Sequence, residues 1–90
     1  MPVLIDLSSS LRDRTGHGLV HANGHTLLEI IDDLDRQYPG FKSDIYSSAG
    51  NSVRGHVLIA INGKIVNRKD IDVAVSAKDK IRISTASKGG

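Results

Sequence analysis

The sequence predicts an α+β domain in which one main helix covers one face of a sheet. Three observations point there: an amphipathic stretch from Leu27 to Tyr38, short β-branched apolar runs on either side of it, and an Asn62-Gly63 pair between two such runs. With 90 residues, 39% of them hydrophobic, the chain has the size and apolar content of one compact domain and is too short for two.

Val3, Ile5 and Leu7 share one side of the first expected strand, Val3 to Leu7, which ends in the turn-forming run Ser8-Ser9-Ser10. A shorter strand is expected over Leu19 to Asn23, bounded by Gly16, Gly18 and Gly24, with Val20 and Ala22 inward. Thr26-Leu27-Leu28-Glu29 fits a capping box, in which the Thr and Glu side chains satisfy backbone donors that a new helix leaves open. Leu27, Ile30, Ile31, Leu34 and Tyr38 then recur at helical spacing, Asp32, Asp33, Asp35 and Arg36 form the solvated side, and Pro39-Gly40 stops the helix. One apolar helix face needs a sheet to cover it.

The small polar run Ser47 to Ser52 predicts a mobile loop. The sheet resumes at His56 to Ile61, with Val57, Ile59 and Ile61 on one side and Leu58 and Ala60 on the other. Asn62-Gly63 then predicts a two-residue hairpin into Lys64-Ile65-Val66. The last strand, Lys80 to Thr85, directs Ile81 and Ile83 to the core, and Ala86 to Gly90 follow untethered. The expected order is β-β-α-β-β-β. A single helix leaves the second sheet face to solvent, so Leu58 and Ala60 are either ordinary surface residues or part of a partner surface.

Several function classes are excluded or unsupported. The chain has no cysteine, hence no disulfide, thiolate metal site or cysteine nucleophile. Its net charge of +2 is spread among acids, with one Phe and two Tyr, so the basic, aromatic-lined groove of a nucleic-acid binder is not visible. No apolar run reaches the length of a membrane span, and Met1-Pro2-Val3 does not begin a secretory signal, so a cytoplasmic location with no membrane partner is expected. His17, His21 and His25 are spaced four apart, but glycines break any helix there, and in a strand such residues lie about 13 Å apart, too far for one metal ion. No metal site is expected. Nucleophile-elbow and phosphate-loop motifs are absent too.

The remaining candidate is the Gly89-Gly90 pair. Without side chains, two glycines can enter a channel too narrow for other residues and present an α-carboxylate to another protein's active site. The plainer alternative is a small chain with two flexible residues at its end.

Read with the rest of the sequence, the chain resembles the ubiquitin-like sulfur carriers, a family that includes the thiamin sulfur carrier, the small subunit of molybdopterin synthase and the carrier of a cysteine-forming pathway. The resemblance rests on Leu11-Arg12, Gly24-His25-Thr26-Leu27, Leu34-Asp35, Tyr38-Pro39-Gly40, Ile61-Asn62-Gly63, Asp79 and Gly89-Gly90. Leu11-Arg12-Asp13-Arg14-Thr15-Gly16 looks closest to the cysteine-pathway branch.

What the resemblance implies is a β-grasp fold with a mixed sheet, a domain over residues 1–86 and a flexible diglycine tail over 87–90. It also implies a non-enzymatic role in cofactor or cysteine biosynthesis. A ubiquitin-activating-like enzyme would use ATP to adenylate the Gly90 carboxylate, a persulfide or sulfide would convert it to a thiocarboxylate, and a sulfur-accepting biosynthetic enzyme would receive the sulfur. No cofactor is expected to be bound by the chain itself. One departure from the family is the polar stretch Ser84 to Lys88, where apolar residues or proline are usual; it bears on partner choice, and either Lys88 meets an acidic channel wall or the tail serves a different recipient from those of the well-known branches. Two other readings stay open: a ubiquitin-like modifier conjugated through Gly90 to target lysines, and a β-grasp interaction module whose diglycine is incidental.

Overall fold

The structure, a computed structural model, describes residues 2–8 and 10–85. The expectations for Lys88, Gly89 and Gly90 therefore lie outside the described residues.

The chain opens with strand β1 (Pro2–Leu7), short helix α1 (Ser10–Thr15), strand β2 (Leu19–Asn23) and helix α2 (Leu27–Gln37). Short helix α3 (Phe41–Ile45) and the two-residue strands β3 (Tyr46–Ser47) and β4 (Ser52–Val53) follow. Strands β5 (Val57–Ile61), β6 (Lys64–Ile65) and β7 (Ile81–Thr85) complete the fold. β2, β1, β7, β5 and β6 lie side by side in that order in a five-stranded sheet, and β3 and β4 form a separate hairpin. β7 pairs parallel with β1, with Ile5 beside Ile81 and Leu7 beside Ile83, while its other neighbour and the outer pairs are antiparallel. This mixed sheet under one main helix is the β-grasp arrangement.

Alternation along the strands builds the core. Val3, Ile5, Leu7, Val20, Ala22, Val57, Ile59, Ile81 and Ile83 face Leu27, Ile30, Ile31 and Leu34 of α2, and all are buried in one cluster. Thr26 caps α2 by accepting the Glu29 N–H at 3.2 Å; the Glu29 carboxylate reaches back one residue further than a strict capping box and accepts the His25 N–H at 2.7 Å. The next open donors, Leu27 and Leu28 N–H, bond the carbonyls of Val73 and Ile71, so the long connection before β7 finishes the start of the helix. Gly24 makes this close approach possible: a Cβ there would come within 2.8 Å of Glu29 Cβ and 2.9 Å of Ile30 N.

Four departures from the sequence-based expectations have physical causes. The run from Ser8 does not simply turn: Ser10–Thr15 forms a helix because Leu11 and Thr15, four apart, both bury, and the Thr15 hydroxyl donates within 3.2 Å of the Leu11 carbonyl. Phe41 and Ile45 bury at the same spacing and shape α3, which leaves Gly40 at φ 96°. Ser47 to Ser52 is the tip of the β3–β4 hairpin rather than a plain loop, with Tyr46 opposite Val53 and Asn51 at φ 50° in the turn. Finally, Asp33 does not join Asp32 on the solvated side of α2: it is 7% exposed and bonded to β2.

Candidate functional site

The described residues hold no group of three or more His, Cys, Asp or Glu placed to bind a metal ion. The feature they do present is the sheet face opposite α2. In the antiparallel and parallel registers of the sheet, Leu19 of β2, Asp6 of β1, Arg82 of β7, Ala60 of β5 and Ile65 of β6 lie in one row across this face. Leu4 sits beside His21, and Leu58 beside Ser84, in neighbouring rows.

Every exposed large hydrophobic residue among those described falls on this face: Leu4 (42% exposed), Leu19 (60%), Leu58 (41%) and Ile65 (63%). Four such residues on one face exceed the scattered single residues expected of a surface at rest. Leu4, Leu19 and Ala60, with the stems of Lys80 and Arg82, line a shallow groove of about 360 Å³. Arg82 and Asp6 approach to 3.9 Å across its floor, both more than half exposed, so the pair sets polarity more than it adds stability.

Leu58 and Ala60 thus point to the expected face, and Leu58 stands beside Ser84, next to the end of β7 from which the chain continues toward Gly90. Leu4, Leu19 and Ile65 belong to the same surface but did not follow from any one segment. The alternation of Leu4 with Val3 and Ile5, and of Leu19 with Val20, carried the signal; the sheet order was needed to bring them together.

The far end of this face is fixed by the hairpin turn. Asn62 at φ 52° and Gly63 at φ 85° give the turn two successive left-handed residues, as a two-residue hairpin requires. The Asn62 side chain donates to Asp79 at 2.9 Å and accepts from Lys80 N–H at 2.9 Å, tying the turn to the two residues that precede β7. The bond from Asn62, together with one from the Ser76 backbone, holds the Asp79 carboxyl below the usual carboxylate range.

The histidines do not converge on a site: His21 lies on β2, His25 precedes α2, His17 precedes β2 and His56 precedes β5. No helix among the described residues is long and apolar enough to cross a membrane.

The same architecture occurs in known structures. A chain of the Amycolatopsis orientalis BexX/CysO complex superposes with a TM-score of 0.84 at 27% identity, covering 98% of this chain and 99% of that one. Mycobacterium tuberculosis CysO, described as an antigen, gives 0.84 at 27% identity over 94% of this chain and 99% of that one. SAMP1 from Haloferax volcanii gives 0.83 over 100% of both chains, and at 19% identity that likeness is one of fold. No curated protein matches the sequence. Residues 5–90, from within β1 through the diglycine, match the ThiS family. The sheet order, the capped helix and a sequence match over almost the whole length agree, and the chain belongs to the ThiS family of ubiquitin-like sulfur carriers.

Proposed function

We propose that this chain carries sulfur as a thiocarboxylate on Gly90. The observation that carries the proposal is the family match running through Gly89 and Gly90. A carboxylate is a poor acyl electrophile, since its charge repels nucleophiles and oxide is a poor leaving group. A partner of the ubiquitin-activating type removes this barrier: the Gly90 carboxylate attacks the α-phosphorus of ATP, releasing pyrophosphate and forming an acyl-adenylate. Hydrosulfide then attacks the acyl carbon, AMP leaves, and loss of the proton gives the thiocarboxylate. With a protein persulfide as donor, the first product is an acyl disulfide, and a thiol must reduce it to release the thiocarboxylate. The chain has no cysteine of its own to divert the activated acyl group.

In this proposal the outer sheet face docks the partners. Leu58 lies nearest the end of β7, with Ala60, Leu4, Leu19 and Ile65 extending the apolar contact away from it. The similar chain in the BexX/CysO complex supports association with a protein partner. The recipient is a biosynthetic enzyme, and the tail with Lys88 and Gly89 enters its active site and that of the activating enzyme.

The test is the intact mass of the protein after incubation with a matched activating enzyme, ATP and sulfide. Replacement of one oxygen by one sulfur on the chain is the expected result. Adducts on lysines of other proteins, with no sulfur gained, would mark a ubiquitin-like modifier, and neither change would mark an interaction module.

A further inference from the structure

The exposed edge of β2 is closed by two side chains of α2, a feature that the carrier role does not use. The Leu7 N–H bonds the Gly18 carbonyl, so in the β1–β2 register the backbone groups of Val20 and Ala22 point toward β1, and those of Leu19, His21 and Asn23 point outward. An outer strand with open N–H and C=O groups is a template on which another strand can add. Here two of those groups are taken. Asp33 Oδ2 accepts the Asn23 N–H at 3.0 Å, and Gln37 Nε2 donates to the His21 carbonyl at 2.8 Å. Gln37 also donates to Asp33 at 3.1 Å, and Arg36 bonds the other Asp33 oxygen, so the two ends of the bracket hold each other.

Burial of Asp33 makes sense on this basis. A carboxylate removed from water on an amphipathic helix needs partners, and here they include a backbone N–H of the sheet edge as well as the Arg36 guanidinium. Nothing else on β2 protects the edge: the strand Leu19–Asn23 contains no proline, no lysine and no bulge. Its outward residues are also symmetric about His21, so that two copies running antiparallel would place His21 against His21 and Leu19 against Asn23.

We propose that Asp33 and Gln37 are guard residues that keep the β2 edge from pairing with the β2 edge of a second copy. Such pairing would use the Asn23 N–H and the His21 carbonyl of both copies, and the bracket occupies both groups. The partner that fits the opened edge is therefore another molecule of this chain, joined through a continuous ten-strand sheet of two copies of five strands each.

The test is analytical ultracentrifugation of the full chain, with amide hydrogen exchange. The parent should sediment as a monomer, and Asp33→Ala with Gln37→Ala as a dimer at the same concentration, with exchange at Leu19 and His21 slowed by roughly tenfold or more. Adding His21→Pro, at a position whose N–H faces away from β1, should restore the monomer. Gln37 is exposed, so Gln37→Ala alone keeps the fold if the double variant does not, and it should dimerise at higher concentration than the double variant. A parent that already pairs through β2, a folded double variant that stays monomeric, a dimer whose Leu19 and His21 amides remain unprotected, or, where the double variant fails to fold, a Gln37→Ala protein monomeric at the highest concentration reached would each overturn the proposal.

Discussion

The two faces of the sheet are made from the same strands and differ sharply in burial. On the inner face Val3, Ile5, Leu7, Val57, Ile59, Ile81 and Ile83 are all 2% exposed or less, locked against α2. On the outer face Leu4, Leu19, Leu58 and Ile65 stand 41% exposed or more, one residue away in sequence from buried neighbours in three of the four cases. The period of two along a strand is what allows this: one set of positions is locked into the core, and the set between them is left free for the partner contact proposed above.

The largest expected effect breaks the inner face. Ile59→Ala leaves a cavity beneath α2 and should lower stability by about 2–5 kcal/mol in urea denaturation, a large part of what a domain of this size possesses. Its neighbour Leu58 is the contrast. Leu58→Asp should change stability by no more than about 0.5 kcal/mol, while weakening association with the activating enzyme by roughly tenfold or more in calorimetric titration. Equal melting of Ile59→Ala and parent would mean that the strand register is wrong; unchanged binding by Leu58→Asp would remove the docking role of the outer face.

Between these extremes lies the link from α2 to the edge of the sheet. Asp33→Ala should cost about 1–3 kcal/mol, because the Asn23 N–H loses its acceptor. The Asn23 N–H, and after it Arg36 and Gln37, hold the Asp33 carboxyl below the usual carboxylate range, against the opposing effect of burial. A depressed folded-state pKa means that the fold favours the carboxylate. Its contribution is therefore fully present above the unfolded value near pH 4 and is lost as pH falls through the folded value. The gap in urea midpoint between the parent and Asp33→Asn should accordingly narrow as the pH is lowered from 6 toward 2.

A smaller loss than at Ile59 or Asp33 is expected at the hairpin. Gly63→Ala places a side chain at φ 85° with open space around it, so only the backbone preference is lost, at about 1 kcal/mol in the same denaturation experiment. A neutral result there would show that the turn relaxes to another type.

Much of this division was legible in the sequence because it is periodic. The helix stripe from Leu27 to Leu34, the alternation of Val57 to Ile61 and the Asn62-Gly63 turn each declare their element within a few residues, and Leu58 and Ala60 follow from them as outward positions. α1 and α3 were not legible, since in six and five residues a helix completes less than two turns and buries only one pair, Leu11 with the polar Thr15 and Phe41 with Ile45. Ile71 and Val75 enter the core from the connection before β7, where Ile71, Val73 and Val75 alternate with exposed Asp72 and Ala74 but belong to no strand of the sheet. Asp33 was misplaced for a different reason: its angular position on α2 reads as polar and outward, and only the proximity of the β2 edge gives a carboxylate reason to turn in. The outer surface as a whole depended on the neighbour relation of β2, β1, β7, β5 and β6, which joins residues far apart in the chain.

In the proposed carrier the tail does the chemistry, and its substitutions should leave stability unchanged. Lys88→Ala should weaken activation modestly and in a salt-dependent way, as expected for a charge that steers docking. The most direct measurement is ATP–pyrophosphate exchange by a matched activating enzyme with the parent, the Gly90-deleted chain and Gly89→Val. Loss of exchange in both variants at unchanged melting temperature is the predicted result, and full exchange with the Gly90-deleted chain would contradict the assignment of the Gly90 carboxylate as the group that carries sulfur.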